Sequence, residues 1–139
     1  MHALTLVRFA LGSFCGGSLV APDWVLTAAH CVFQQPPPGK IVVNDLSVPG
    51  TSAAEVTRTV RQIVVHPQYN PNSQANDMAL IQLSQAVSGV TPVALATTSP
   101  RAGTTVTVAG FGLIADGGRS ALATRSRCAC LRVCCARVR

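Results

Sequence analysis

Two stretches of this chain set acid–base side chains at the ends of apolar runs. In Trp24-Val25-Leu26-Thr27-Ala28-Ala29-His30-Cys31 a histidine stands directly before a cysteine, just after a strand-like run. In Asn76-Asp77-Met78-Ala79-Leu80-Ile81-Gln82-Leu83 an aspartate stands directly ahead of one. Imidazole and carboxylate are the side chains of general acid–base chemistry, and an aspartate placed against apolar residues needs a partner to be tolerated. The 47 residues separating His30 from Asp77 do not by themselves establish contact. His2 and His66 sit in no comparable pattern and read as structural or surface residues. Cys15, in Cys15-Gly16-Gly17-Ser18, and Cys31 either form a bridge or stay as buried thiols, since cysteine is often simply buried.

The segment Thr27-Ala28-Ala29-His30-Cys31 resembles the catalytic-histidine motif of the trypsin/chymotrypsin-like serine endopeptidases, and the segment from Asn76 to Leu83 resembles their catalytic-aspartate strand. Both occur in the family's order, with histidine before aspartate and serine expected last. The resemblance spans residues 4–118. It implies that His30 is the general base and that Asp77 holds its imidazole in the right tautomer and stabilises the imidazolium. It also implies a Cys15–Cys31 disulfide, because in the family the cysteine after the histidine pairs with one in a Cys-Gly-Gly-Ser strand. Such a bridge closes a loop of about 15 residues, worth roughly 3 kcal/mol on the chain-entropy model, and belongs in an oxidising compartment. A complete enzyme of this kind hydrolyses peptide bonds through an acyl-enzyme intermediate, so the implied partner is a protein or peptide substrate, with no cofactor and no metal.

The family's Gly-Asp-Ser-Gly-Gly nucleophile loop does not occur in the sequence. None of the ten serines lies in such a loop, and Ser120 follows an Asp116-Gly117-Gly118 that belongs to the Gly110-Phe111-Gly112 segment instead. The family's Ile-Val-Gly-Gly-like start is likewise not found at Met1-His2-Ala3. The expectation is therefore the N-terminal half of a serine endopeptidase, truncated before its nucleophile and inactive as these 139 residues. The alternative is a non-catalytic homologue acting as a secreted binding module, although such a module has no chemical need for both His30 and Asp77.

The elements that must position these residues are short strands. Leu4–Arg8 suits a first strand, and Ser18–Ala21 and Trp24–Thr27 read as two strands joined at the turn-forming pair Pro22-Asp23. Ala28–Val32 then makes a short helical turn carrying His30. Pro36-Pro37-Pro38 cannot join a strand ladder and reads as an extended surface loop. Lys40–Val43, Val56–Val65, Met78–Leu83 and the alternating Thr104–Gly110 supply further strands, and His66–Gln74 carries turn residues throughout. No segment reads as a helix of about ten residues or more, so the pattern is all-β. The resemblance narrows this to a chymotrypsin-like antiparallel β-barrel, the first barrel of a two-barrel fold with the second only begun.

A two-barrel all-β enzyme usually needs roughly 200–250 residues, against 139 here. Residues 1–95 are expected to form the first barrel, incomplete at its N-terminus. Residues 96–118 are a linker and the opening strand of the second barrel, and residues 119–139 form an Arg/Cys-rich tail outside the family pattern, read as unstructured. Residues 1–124 carry six basic against five acidic side chains, whereas residues 125–139 add five arginines and no acid. Five of the six net positive charges thus sit in the tail, and the balance argues neither for nucleic acid nor for a membrane surface. Cys128, Cys130, Cys134 and Cys135 crowd into one stretch, unlike the separated Cys pairs of zinc sites. No run of about 18 apolar residues is present to span a membrane. Met1–Phe14 shows no basic start or cleavage site of a secretory signal, so the secreted location is an expectation from the family and the disulfide.

Overall fold

The computed structural model describes residues 4–8, 14–35, 40–43, 56–110 and 124–129. Seven strands form one antiparallel sheet: β1 Leu4–Arg8, β2 Phe14–Ala21, β3 Trp24–Thr27, β4 Lys40–Val43, β5 Val56–Arg58, β6 Val60–Val65 and β7 Ala79–Leu83. Their spatial order is β5-β4-β1-β2-β3-β7-β6. The two outer members, β5 and β6, are separated in sequence by Thr59 alone. Because β5 and β6 are continuous in the chain, the two ends of the sheet meet at Thr59 and the sheet curls into a barrel.

This closure explains a difference from the sequence expectation. Val56–Val65 reads as one strand, but the structure divides it at Thr59, since its first part pairs with β4 and its second with β7. The bend is tied down locally: Thr59 Oγ1 donates to Ser84 Oγ at 2.7 Å and the Ser84 N–H donates to Thr59 O at 2.9 Å. Register slips at Leu19/Ala21 and at Val60/Gln62 add the local coiling that a small barrel needs.

The core follows from strand alternation. In β7, Ala79, Ile81 and Leu83 point inward while Leu80 and Gln82 are half-covered. In β3, Val25 and Thr27 point inward. With Leu19, Ile41 and Val43 they fill the barrel, and Val87 and Val90 join the same buried cluster. Outside, Gln82 links neighbours by donating to Asp23 Oδ2 and accepting from Gln62 Nε2, both at 2.9 Å.

Two further strands, β8 Thr105–Gly110 and β9 Thr124–Ala129, form a separate antiparallel ribbon in full register from Thr105↔Ala129 to Gly110↔Thr124. β9 lies inside the tail that the sequence reads as unstructured. The reason is nonlocal: β8 offers an unsatisfied backbone edge, and Thr, Ser and Cys tolerate extended conformation well enough to fill it. The Pro36–Pro38 loop, Gly112 and Ser120 fall outside the described residues.

Candidate active site

β3 and β7 are hydrogen-bonded neighbours with Thr27 opposite Ala79. His30 comes three residues after Thr27 and Asp77 two residues before Ala79, so antiparallel pairing brings them to the same end of the barrel. The 47-residue sequence gap closes because β7 returns beside β3.

After β3 the chain turns through a single 3₁₀ turn, Ala29–Cys31. Its flanking members Ala29 and Cys31 are buried, which anchors the turn and leaves His30 between them facing out. Phe33 N–H donates to Ala29 O at 2.8 Å, and the Phe33 ring meets Tyr69 edge-on with centroids 5.3 Å apart, joining this turn to the segment that leads into Asp77. Cys31 is bonded to Cys15 of β2 across a Cα separation of 6.3 Å, within the usual range for a disulfide.

Asp77 spends both carboxylate oxygens on His30. Oδ2 lies 2.7 Å from the imidazole Nδ1, and Oδ1 accepts the His30 backbone N–H at 2.8 Å. The Asp77 side chain is 24% exposed and that of His30 52%. Such a carboxylate holds the ring as the Nδ1–H tautomer, with the Nε2 lone pair directed away from Asp77. Nε2 passes 3.4 Å from Cys31 Sγ.

The trypsin family model matches residues 2–133. The chain belongs to the trypsin family. It is 39% identical over 110 residues to human kallikrein-4, covering 75% of this chain and 41% of the relative. It is 40% identical over 123 residues to serine protease SP24D of Anopheles gambiae, covering 84% and 44% respectively. Human serine protease 56 is 38% identical over 128 residues, covering 86% of this chain and 21% of that protein. The chain thus spans less than half the length of these trypsin-family relatives.

The structure brings together all four residues that the trypsin-type motifs single out: His30, Asp77, Cys15 and Cys31. The Asp77 carboxyl is held below the ordinary aspartate value of 3.8 by competing effects. Burial pushes it up, and the His30 ring hydrogen bond, the His30 N–H, the His30 charge and the Ala29 N–H together outweigh that.

Other members of the site carry no chemical label in the sequence. Thr27, the one buried polar side chain of the described residues, donates from Oγ1 to Gly16 O at 2.9 Å and ties the end of β3 to β2. Asn76 has φ 56°, a left-handed conformation that asparagine tolerates better than most residues. Its Nδ2 donates to Gln68 O at 3.0 Å, and its carbonyl accepts the Met78 N–H at 2.7 Å, aiming Asp77 at the histidine turn. Both residues lie inside the quoted motifs, which was the available signal. Beside Asp77 lies an open cleft of about 360 Å³, lined in part by Gly16, Ser18, Leu26, Ala28 and Met78.

Proposed function

We propose that this chain supplies the histidine and aspartate of a Ser-His-Asp endopeptidase site, with His30 as general base and Asp77 as the residue that orients it. The observation that carries this reading is the double engagement of His30 by Asp77, through ring Nδ1 and backbone N–H. It fixes both the tautomer and the position of the ring, and leaves Nε2 free to take a proton from a serine hydroxyl. The imidazolium so formed faces a carboxylate, which lowers the barrier to serine attack on a peptide carbonyl. The substrate is a protein or peptide, and the disulfide favours a secreted or extracytoplasmic setting.

The nucleophile belongs to chain beyond these 139 residues, because none of the serines sits in a Gly-Asp-Ser-Gly-Gly loop. The open cleft beside Asp77 supports this, since it offers apolar Leu26 and Met78 for further chain to cover. The 139 residues alone are inactive on this reading, as removal of the nucleophile costs about 10⁶ in turnover. A fluorophosphonate probe is expected to leave the purified chain unlabelled, and labelling that disappears in His30→Ala contradicts this. Joined to a trypsin-family second half that carries the nucleophile, the chain is expected to label only while His30 and Asp77 are intact.

A second reading, a non-catalytic homologue acting as a secreted binding module, draws support from β9, which covers one edge of β8. Resequencing the message from the Gly118 codon onward separates the two. A frame continuing into Gly-Asp-Ser-Gly-Gly supports the endopeptidase, and its absence from all three frames favours the module.

A further inference from the structure

We propose that His66 and Asn76 are positioning residues for the His30–Asp77 pair, acting through a closed circuit of four hydrogen bonds at the root of the loop that delivers Asp77. The circuit can be followed from donor to acceptor. The Gln68 N–H donates to His66 Nδ1 at 3.2 Å, and Asn76 Nδ2 donates to Gln68 O at 3.0 Å. The Met78 N–H donates to Asn76 O at 2.7 Å, and the His66 N–H donates to Met78 O at 3.0 Å, which returns to the start. Two of the four bonds use a side chain, one from His66 and one from Asn76, so these are the members that substitution can remove. His66, read from sequence as a structural or surface residue, thereby gains a specific task. Its Nδ1 accepts, so the neutral imidazole carries its proton on Nε2.

Asp77 lies within this circuit. The bond from Met78 N–H to Asn76 O spans Asp77 alone and makes it the centre of a three-residue turn. On one side β7 begins at Ala79, paired with both β3 and β6. On the other side the loop has no strand ladder to hold it, and fixing each backbone residue there costs conformational entropy. The circuit supplies bonds that offset this cost directly ahead of Asp77. Gln74 and Asn76, with φ 55° and 56°, are two of the three non-glycine residues with left-handed backbone among the described residues. Such conformations persist only where the surroundings over-determine them, and at Asn76 the bonds on its side chain and its carbonyl do so. The circuit is also fastened to the histidine turn, because the Tyr69 N–H donates to His66 O at 2.9 Å and the Tyr69 ring meets Phe33 edge-on.

The inference rests on the roles proposed for His30 as base and Asp77 as its orienter. Asp77 engages His30 through both carboxylate oxygens, which demands a fixed backbone on either side of it. With the circuit broken, Asp77 still adjoins β7 but samples positions from which one oxygen misses its partner, and the imidazole is held less firmly in its Nδ1–H tautomer.

The test follows, by NMR on the full chain, the exchange with water of the proton on His30 Nδ1, with urea melts of the same variants. His66→Ala and Asn76→Ala are each expected to speed this exchange about 2–10-fold, the change in an opening equilibrium that one hydrogen bond controls. His66→Asn is expected to restore wild-type exchange, since its Oδ1 accepts the N–H two residues on as His66 Nδ1 does. Asn76→Gly takes a positive φ without strain but lacks the side-chain bond, and is expected to exchange faster than wild type and slower than Asn76→Ala. Gln82→Ala loses two side-chain bonds on the outer face of β7 and is expected to leave the exchange unchanged. Unchanged exchange in both alanine variants, equal acceleration in Gln82→Ala, or no restoration by His66→Asn each overturns the proposal. Should an alanine variant fail to melt cooperatively, Asn76→Gly decides, and wild-type exchange in it overturns the proposal. A wild-type chain with no proton on Nδ1 overturns both this proposal and the orienting role of Asp77, whereas a proton that is present but indifferent to the circuit overturns this proposal alone. None of these readouts needs a nucleophile, so the endopeptidase reading is scored separately by the fluorophosphonate experiment.

Discussion

Asp77 couples the stability of the barrel to pH. Its carboxyl lies below the ordinary value of 3.8 in the folded chain, so its stabilisation is complete above that value and is lost as pH falls through the lowered one. Asp77→Asn is expected to be less stable than the wild type near neutrality, with the gap narrowing in acid, as read from urea melts across pH. Cys15→Ser opens a bridge of sequence separation 16 and is expected to cost about 3 kcal/mol in the same assay. At this scale much was legible, because His30, Asp77 and both cysteines lie in compact motifs whose residue types have few other uses. The supporting residues were not. Thr27 donates to a carbonyl of another strand, and Asn76 works through its backbone angle, so neither role shows in residue type alone.

Among the elements, β7 carries the site most directly, since it pairs with both β3 and β6 and is preceded immediately by Asn76-Asp77. As a strand it was legible over Met78–Leu83, and the structure turns Ala79, Ile81 and Leu83 inward. Ile81 is fully buried, and Ile81→Ala is expected to cost about 2–5 kcal/mol by equilibrium unfolding. Gln82, one residue away on the outer face, is expected to cost about 1 kcal/mol on truncation to alanine, the loss of its bonds to Asp23 and Gln62. The break at Thr59 was not legible, because Val56–Val65 has no local breaker and its bend is set by barrel closure. β9 was equally hidden: Thr124–Ala129 shows no apolar alternation, and its extended form comes from pairing with β8.

For the whole molecule, the closed seven-stranded barrel and the two-stranded ribbon differ in kind. The barrel encloses an aliphatic core, whereas a two-stranded ribbon by itself is marginal in water. Amide exchange is expected to be slowest in β2, β3 and β7 and much faster in β8 and β9, in a hydrogen–deuterium experiment resolved by residue. Antiparallel all-β architecture was legible from many short strands between turn residues, and closure required the spatial order of the strands. The central claim is that the barrel delivers His30 already oriented by Asp77, with Nε2 free, before any nucleophile is present. The most direct test is the ring spectrum of His30 by proton–nitrogen NMR at neutral pH. The expected result is an Nδ1–H tautomer with a strongly downfield proton that vanishes in Asp77→Ala. An Nε2–H tautomer, or a spectrum unchanged in Asp77→Ala, contradicts it.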